Sequence, residues 1–374
     1  MEVKMRRFVG RILFFILFVA LCLNMPCLDA CTTFCIKNRD HLVFGRNYDW
    51  GIGVGIVFVN KRDLSKKALV EPTNAPAEWI SKYGSITFNQ YGRELPMGGI
   101  NEVGLVVEQM WMSGTQYPDR DERPTLRELA WIQYHLDTSQ SVHDVLASDS
   151  RIRILGNSVP VHFLVCDKTG QVAAIEFLKG KMVVHTAKDL PVAVLANSTY
   201  AESIQYLKRF KDFGGSATIP KTTRSLDRFA RTAQGIIQFS GEQSEGITDY
   251  AFKILDEVSQ GSATQWSIVY DVKSLALYFK TSKSPRIKNL ALKDIDFSPG
   301  TPSRTLDINT SKSGNVGSRF VDYSTEINKK LIFESWKKIE FLKNTPDEVL
   351  NELAEYPESI RNKAEDLKAG ETQQ

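Results

Sequence analysis

Cys31 has the first side chain in the sequence with a distinct chemical role, because it directly follows a segment typical of a cleavable signal peptide. Residues 1–30 contain four basic residues ahead of an apolar run at positions 12–23, and small or helix-breaking residues lead to Ala30. The apolar run is shorter than a membrane span needs. We predict cleavage between Ala30 and Cys31, export to the periplasm or the medium, and no integral membrane span after processing.

A cysteine at the first position of a mature chain combines a nucleophile and a base. Its thiol can attack a carbonyl, and its α-amine, with a pKa of about 7.7–8.0, can accept the thiol proton. None of the five histidines falls in a recognisable motif. Two other interpretations of Cys31 remain open at this point. In the first, Cys31 is an ordinary strand cysteine. In the second, it is a lipidated anchor without a free thiol or amine, because residues 28–31 loosely resemble a lipobox, in which Asp29 fits poorly.

The overall composition is that of a globular protein. The 374 residues are 42% hydrophobic and 24% charged, and 47 basic against 44 acidic residues give a net charge of +3. This balance argues against a nucleic-acid partner, which usually requires a basic surface. The sequence contains no HExxH, CxxC or phosphate-loop motif, so we predict no metal and no external cofactor. Cys35 and Cys166 are candidates for a disulfide, which the sequence leaves open.

The order of predicted elements is strands, helices, strands, helices, strands, which favours an α+β fold with mostly antiparallel sheets. A hairpin is predicted from two β-favouring runs at 32–36 and 41–44. Thr125 and Glu128 form a capping-box pattern that predicts a helix to about residue 136. Further helices are predicted at 141–147, 200–210, 225–239 and 246–258. Further strands are predicted at 161–166, 172–177, 181–185, 192–196, 266–270 and 276–279.

The C-terminal part of the chain has a different character. A stretch rich in Ser, Thr, Gly and Pro predicts a linker or long loop at 299–324. Two charged, amphipathic patterns at 325–342 and 347–367 predict helices on the surface or at a contact between chains. We therefore divide the chain into a signal peptide (1–30), a main domain (31–298), the linker and a C-terminal helical extension (325–374).

Several motifs in the main domain resemble one known family. Cys31-Thr32-Thr33, a hairpin, and then Gly45-Arg46-Asn47-Tyr48-Asp49-Trp50 are similar to the start of the choloylglycine hydrolase / penicillin V acylase family of cysteine N-terminal-nucleophile (Ntn) hydrolases. Later similarities are an Asn-Glu-x-Gly-Leu turn at 101–105, a strand ending at Asn197, an Arg-Phe pair at Arg228, and a closing strand at 265–271. The resemblance covers residues 31–298, and the last ~75 residues have no recognised counterpart.

The resemblance implies a fold and an activity. The fold would be a four-layer αββα sandwich of two antiparallel sheets flanked by helices. The activity would be hydrolysis of C–N bonds other than peptide bonds in linear amides, with a small-molecule N-acyl amide as substrate. The family often forms homo-oligomers, so a tetramer or dimer is also implied.

The resemblance also assigns roles to individual residues. Cys31 would be the nucleophile and its amine the proton shuttle, and Asp49 would accept hydrogen bonds from that amine. Arg46 would favour the thiolate. Asn197 would donate its amide N–H to the developing oxyanion, and Arg228 would support the same cluster of charges.

One position departs from the bile-salt-cleaving members of the family. Those members place a second asparagine ten residues after the asparagine of the turn, where this sequence has Trp111. Trp111 resembles the Gram-negative branch, in which aromatic residues line the acyl pocket, and Trp50 is the other candidate wall. Two indoles suit an aromatic or fatty acyl group. Penicillin V-like amides or N-acyl homoserine lactones are thus the preferred substrates.

Two alternatives to this interpretation are kept. The first is a conjugated bile salt hydrolase, which fits the family but not Trp111. The second is a lipid-anchored envelope protein without catalysis, acylated on Cys31, with the C-terminal helices as its interaction surface. The presence of Arg46, Asp49, Asn197 and Arg228 argues against the second alternative, because a non-catalytic protein need not keep them.

Overall fold

Two large β-sheets form the body of the protein. The computed structural model describes residues 31–71, 73–239 and 246–362. The predicted signal peptide lies outside the described residues, as does the end of the second predicted C-terminal helix.

Strands account for most of the regular structure. In chain order they are β1 Thr32–Lys37, β2 Leu42–Asp49, β3 Ile56–Asn60, β4 Leu64–Lys67, β5 Glu78–Ile80, β6 Ser85–Asn89, β7 Pro96–Asn101, β8 Val106–Trp111, β9 Thr125–Leu126, β10 Arg153–Ile154, β11 Val161–Cys166, β12 Val172–Leu178, β13 Lys181–Thr186, β14 Val194–Leu195, β15 Thr264–Asp271, β16 Ala276–Thr281, β17 Lys288–Ala291, β18 Arg304–Asp307, β19 Gly314–Asn315, β20 Val321–Asp322 and β21 Arg361–Asn362.

The two large sheets differ in size but share an antiparallel arrangement. The seven-stranded sheet has the order β14-β1-β2-β15-β16-β17-β19 and is antiparallel except at the β17–β19 edge. The nine-stranded sheet has the order β13-β12-β11-β8-β7-β6-β3-β18-β20 and is antiparallel throughout. Two small sheets, β9–β10 and β21-β4-β5, lie outside these layers.

Helices flank both sheets. They are α1 Glu128–Thr138, α2 Val142–Ala147, α3 Tyr200–Leu207, α4 Ser225–Ile237, α5 Ile247–Glu257, α6 Thr325–Trp336 and α7 Asp347–Glu355. One hydrophobic core fills the space between the sheets and extends beneath α4 and α5, and a second lies between the nine-stranded sheet and α1 and α2. The predicted α+β sandwich of two antiparallel sheets with flanking helices is confirmed.

Strand β11 contributes side chains to both hydrophobic cores. Successive side chains of a strand point to opposite faces, so Leu164 contributes to the core between the sheets while Phe163 and Val165 contribute to the outer core. All six of its residues are buried. Both faces of the strand are therefore covered, and five of its six residues are apolar, which explains why the sequence pattern predicts it with the observed bounds. The exception is His162, whose Nε2 lies 2.9 Å from the Ala196 carbonyl oxygen.

The predicted hairpin at the start of the main domain forms as β1 and β2. These strands pair antiparallel along their whole length, from Thr32 opposite Asn47 to Lys37 opposite Leu42. Cys35 on β1 lies with its sulfur 3.7 Å from the sulfur of Cys166, at the end of β11 in the other sheet, and both thiols are free.

The capping-box prediction at Thr125 is wrong. Helix α1 begins at Glu128 with Arg127 at its N-cap, and no side chain caps it. Thr125 instead belongs to strand β9, where it pairs with Arg153. Tertiary pairing removed this threonine from the helix, whereas Ser141 and Asp144 form a true capping box at α2.

The predicted linker at 299–324 is not a free connection. Strands β18 and β20 extend the nine-stranded sheet, and β19 joins the edge of the seven-stranded sheet. Each has only two to four residues, which is too short for a recognisable alternating pattern. The predicted helix at 325–342 ends at Trp336, and α7 ends at Glu355, followed by a 3₁₀ turn that contains Pro357.

Candidate active site

The five predicted catalytic residues come together at one end of the seven-stranded sheet. Cys31 immediately precedes β1, Arg46 and Asp49 lie on the neighbouring β2, and Asn197 follows β14 on the other side of β1. Arg228 lies on α4, which packs against β1 and β14. All five side chains are buried. The sheet order therefore assembles residues that are up to 197 positions apart.

The backbone nitrogen of Cys31 is held by Asp49. It donates a hydrogen bond of 3.0 Å to Oδ2 of Asp49. The same carboxylate accepts from Nε2 of Gln260 at 2.8 Å and from the hydroxyl of Thr264. A carboxylate that accepts three hydrogen bonds is fixed in orientation. It can therefore fix the direction of the Cys31 nitrogen as well.

The carbonyl side of Cys31 is held by Arg228. Its guanidinium donates to the Cys31 carbonyl and to the Thr32 hydroxyl at 2.5 Å each, and to Oδ1 of Asn197 at 2.6 Å. Nδ2 of Asn197 in turn donates to the carbonyl of Trp111 at 2.9 Å. A guanidinium presents its donors in a rigid fork, so Arg228 sets the position of the Asn197 amide relative to Cys31.

Arg46 acts electrostatically on the thiol. Burial raises the pKa of the Cys31 thiol above its ordinary value, and the charge of Arg46 opposes this rise. The guanidinium is fully buried, donates to the carbonyl of Met97 at 2.6 Å and lies 5.0 Å from the ring centre of Tyr48. Its Nε and Nη2 atoms have no hydrogen-bond partner among the described residues. These donors suit a thiolate.

Glu108 is a charged member of this cluster that the sequence analysis missed. Its carboxylate forms a buried ion pair with Arg46 and accepts a hydrogen bond of 2.6 Å from the hydroxyl of Tyr270. Burial raises the pKa of Glu108 to about 7, although Arg46 and Tyr270 oppose the rise. Gly98 lies directly opposite Glu108 in the sheet. A β-carbon at Gly98 would lie 1.9 Å from Oε2 of Glu108, so the glycine provides the space for this carboxylate.

The site residues that the sequence analysis did not predict have a common feature. Glu108, Gln260, Thr264 and Tyr270 are polar residues within or beside strands, and their partners are far away in the sequence. The one available signal was an acidic residue inside the otherwise uncharged run of β8. A buried carboxylate usually needs a cationic partner, which would have pointed to an arginine.

The two predicted wall residues lie beside this cluster. Trp50 follows Asp49 directly, and Trp111 is the last residue of β8. Their rings are 6.2 Å apart between centres and tilted by 31°, and both are half-buried. The indole N–H of Trp111 donates to the hydroxyl of Ser113 at 3.1 Å. Two adjacent, partly exposed indoles form an apolar surface, and the carbonyl of Trp111 is bonded to Asn197.

Within the described ranges, no group of three or more His, Cys, Asp or Glu residues is arranged to hold a metal ion. In those same ranges, no helix combines the length and the apolar character that crossing a bilayer requires.

Comparisons with known proteins identify the family to which this chain is similar. Residues 31–310 match the family described as linear amide C–N hydrolases, choloylglycine hydrolase family. Penicillin V acylase from Pectobacterium atrosepticum is 26% identical over 341 residues, covering 79% of this chain and 90% of that protein.

Solved structures show the same fold. The structure of penicillin V acylase from Agrobacterium tumefaciens is 25% identical and aligns with a TM-score of 0.70 over 79% of this chain and 98% of that chain. A mutant of conjugated bile acid hydrolase from Clostridium perfringens aligns with a TM-score of 0.61 at 19% identity, over 76% of this chain and 98% of that one, which is a likeness of fold.

The family match spans most of the chain and starts at Cys31, the residue that the structure surrounds with Asp49, Arg46, Arg228 and Asn197. The predicted family resemblance is thereby confirmed. This chain belongs to the choloylglycine hydrolase family, and it is a hydrolase of non-peptide C–N bonds in linear amides.

Proposed function

We propose that this chain is exported, loses residues 1–30, and hydrolyses N-acyl amides with an aromatic or fatty acyl group through an acyl-enzyme on Cys31. One observation carries this proposal. Both sides of Cys31 are held by side chains suited to catalysis, its nitrogen by Asp49 and its carbonyl by Arg228, which also orients Asn197.

Acylation uses the two groups of Cys31. After cleavage, the nitrogen that now donates to Asp49 becomes an α-amine in the same place. The amine takes the thiol proton, and the sulfur attacks the amide carbonyl. Asn197 stabilises the oxyanion. The amine then passes the proton to the leaving nitrogen, the C–N bond breaks, and the acyl group remains on sulfur as a thioester.

Deacylation uses the same groups, with water in place of the thiol as the nucleophile. The α-amine accepts a proton from water, and the resulting hydroxide attacks the thioester carbonyl. Asn197 again stabilises the oxyanion. The C–S bond breaks, the thiolate recovers its proton from the amine, and a carboxylic acid leaves.

Burial of the thiol determines when it loses its proton in this reaction. Because burial raises the pKa of Cys31, the resting thiol stays protonated at neutral pH. Arg46 lowers that pKa and stabilises the thiolate as it forms. The thiolate therefore forms only as the sulfur attacks, when the amine takes the proton and Arg46 stabilises the negative charge.

The indole pair supports the choice of acyl group. Trp50 and Trp111 offer a flat apolar surface for a phenoxy ring or an alkyl chain. Two of the similar proteins are named penicillin V acylases. The hydroxylated steroid of a conjugated bile salt fits this apolar surface less well, so bile salt hydrolysis is the second candidate, supported by the shared fold.

A substrate panel tests the proposal. Protein exported from a Gram-negative host is assayed with penicillin V, an N-acyl homoserine lactone and glycocholate. The proposal expects turnover of the first two to exceed that of glycocholate, and Cys31→Ala to abolish all three. Preference for glycocholate would favour the bile salt alternative. A diacylglycerol-sized mass on Cys31 would support the lipid-anchored, non-catalytic alternative.

Trp111→Ala tests the acyl wall. We expect a higher KM for penicillin V with a smaller change in kcat, because the substitution removes apolar contact shared by ground and transition states. Trp111→Phe is the matched control and should keep most of the affinity. Equal KM values in Trp111→Ala and the parent would show that Trp111 does not contact the acyl group.

A further inference from the structure

The C-terminal helices lie beyond the family match, which ends at residue 310. Nevertheless they pack tightly on the main domain, where Ile332 of α6 and Leu350, Leu353 and Ala354 of α7 form a buried cluster with Leu95 and Trp336. We propose that this C-terminal segment is a brace for the acyl wall: it fixes the loop at residues 90–95, and through that loop the segment at 50–54 that carries Trp50. Asn328 and Trp336 are its positioning residues.

Asn328 joins three parts of the structure with one side chain. It is fully buried on α6, and its Oδ1 accepts from the backbone nitrogen of Arg93 at 2.7 Å. Its Nδ2 donates to the carbonyl of Ala354 on α7 at 2.9 Å. A buried amide whose two ends are both bonded fixes its neighbours relative to one another. Asn328 therefore ties both C-terminal helices to the 90–95 loop.

Trp336 and Ile332 make the second contact with this loop. The indole N–H of Trp336 donates to the carbonyl of Tyr91 at 3.3 Å, and the two rings meet edge to face with centres 6.4 Å apart. Gly92 has a φ of +127°, and a β-carbon there would lie 3.1 Å from Ile332. The loop thus adopts a backbone conformation that favours glycine at the point where α6 covers it.

The same loop is bonded to the segment that follows Trp50. Nε2 of Gln90 donates to the carbonyls of Ile52 and Val54 at 2.9 and 3.0 Å, and Oε1 of Gln90 accepts from the hydroxyl of Tyr48 at 2.6 Å. The path from α6 to the segment at 50–54 therefore runs from Trp336 to the Tyr91 carbonyl, and from the adjacent Gln90 to the carbonyls of Ile52 and Val54.

This brace rests on the proposed function in one respect, the role of Trp50 as a wall of the acyl pocket. Its kinetic test compares the parent with Trp336→Phe, which loses the hydrogen bond to Tyr91 but keeps an aromatic ring. We expect KM for penicillin V to rise about two- to tenfold, the effect of one lost hydrogen bond, with kcat nearly unchanged. KM for an acetyl amide, which does not reach the indoles, should not change.

A second measurement does not depend on activity. Hydrogen–deuterium exchange of the full-length protein should show faster exchange at residues 50–54 and 90–95 in Trp336→Phe and in Asn328→Ala. Val145→Ala is the matched control, because it removes buried volume from α2 in the outer core, away from this loop. It should lower global stability without a selective change at 50–54.

The outcomes separate the brace from the proposed function. Unchanged exchange at 50–54 in both brace variants would overturn the brace, whatever the substrate. If exchange rises there but no amide in the panel is hydrolysed by the parent, the brace stands and the proposed function fails. If exchange rises and KM for penicillin V does not, the C-terminal segment does not act on the acyl wall, and the proposal is overturned.

Discussion

At the scale of single residues, two opposing electrostatic effects act on Cys31, the candidate nucleophile. Burial raises the pKa of Cys31, and Arg46 lowers it. Arg46 is itself paired with Glu108, a carboxyl whose own pKa burial raises to about 7. The protonation of Glu108 therefore changes the net charge around Arg46 in the physiological pH range. Replacement of Glu108 is the direct way to measure this effect.

The first prediction concerns the pH dependence of stability. In the unfolded chain Glu108 titrates near its ordinary value of 4.5, whereas in the folded protein its pKa is about 7. The folded state binds more protons between these values, so this group's contribution to the free energy of unfolding is complete below pH 4.5 and is lost as the pH rises to 7. Glu108→Gln should flatten this decline.

Denaturant unfolding of the parent and Glu108→Gln between pH 4.5 and 8 measures the difference. Glu122→Gln, at an exposed carboxylate, serves as the control and should follow the parent. Identical pH profiles for Glu108→Gln and the parent would show that Glu108 does not titrate in this window.

The second prediction concerns Asn197. Its amide is oriented by Arg228 and by the Trp111 carbonyl, as an oxyanion donor requires. Asn197→Ala should lower kcat by about 10²–10³ with little change in KM, because the interaction forms in the transition state. Steady-state kinetics with penicillin V measure this. A folded Asn197→Ala protein with the kcat of the parent would exclude the oxyanion role.

At the scale of elements, the sequence pattern predicted some strands well and missed others for physical reasons. Alternating and continuous apolar runs predicted the β1–β2 hairpin and β11. Strand β7 was missed because it begins with Pro96 and contains Gly98 and Gly99, which are rare in strands. The structure explains Gly98 through the space that Glu108 needs. That requirement arises only when β7 and β8 are paired, so no local pattern contains it.

The third prediction follows from this pairing. Gly98→Ala should displace the Glu108 carboxylate from Arg46, because the added carbon would lie 1.9 Å from Oε2. We expect a loss of stability of about 1–3 kcal/mol, the usual cost of overpacking, together with lower kcat. Thermal unfolding and kinetics measure both effects. Gly114→Ala, where an added carbon meets nothing within 4 Å, is the control. Equal effects of the two substitutions would contradict the proposed link between Gly98 and Glu108.

The two capping-box patterns illustrate a limit of local prediction. Ser141 and Asp144 form the reciprocal bonds of a capping box at α2. Thr125 and Glu128 show the same spacing, but Thr125 is taken into strand β9. The local pattern is equal in the two cases, and only the pairing with a strand 28 residues away decides between them.

At the scale of the whole molecule, the motifs at 31–50, 101–105, 197 and 228 predicted the sandwich fold through their resemblance to the family. The same motifs indicated the five candidate catalytic residues. No motif of this kind was recognised in the C-terminal part of the chain. Its short strands at 304–322 and its buried contacts through Asn328 and Trp336 depend on surfaces that the main domain creates on folding. Long-range contacts of this kind leave little trace in local periodicity.

In the proposed reaction, Cys31 is the first residue of the mature chain and carries the acyl group. The most direct test is intact-mass analysis of the exported protein, with and without an acid quench during penicillin V turnover, followed by N-terminal sequencing. We expect a mature chain that begins at Cys31 and gains a phenoxyacetyl mass on its thiol, and no such mass in Cys31→Ala. Turnover by a chain that begins elsewhere, or by Cys31→Ala, would contradict it.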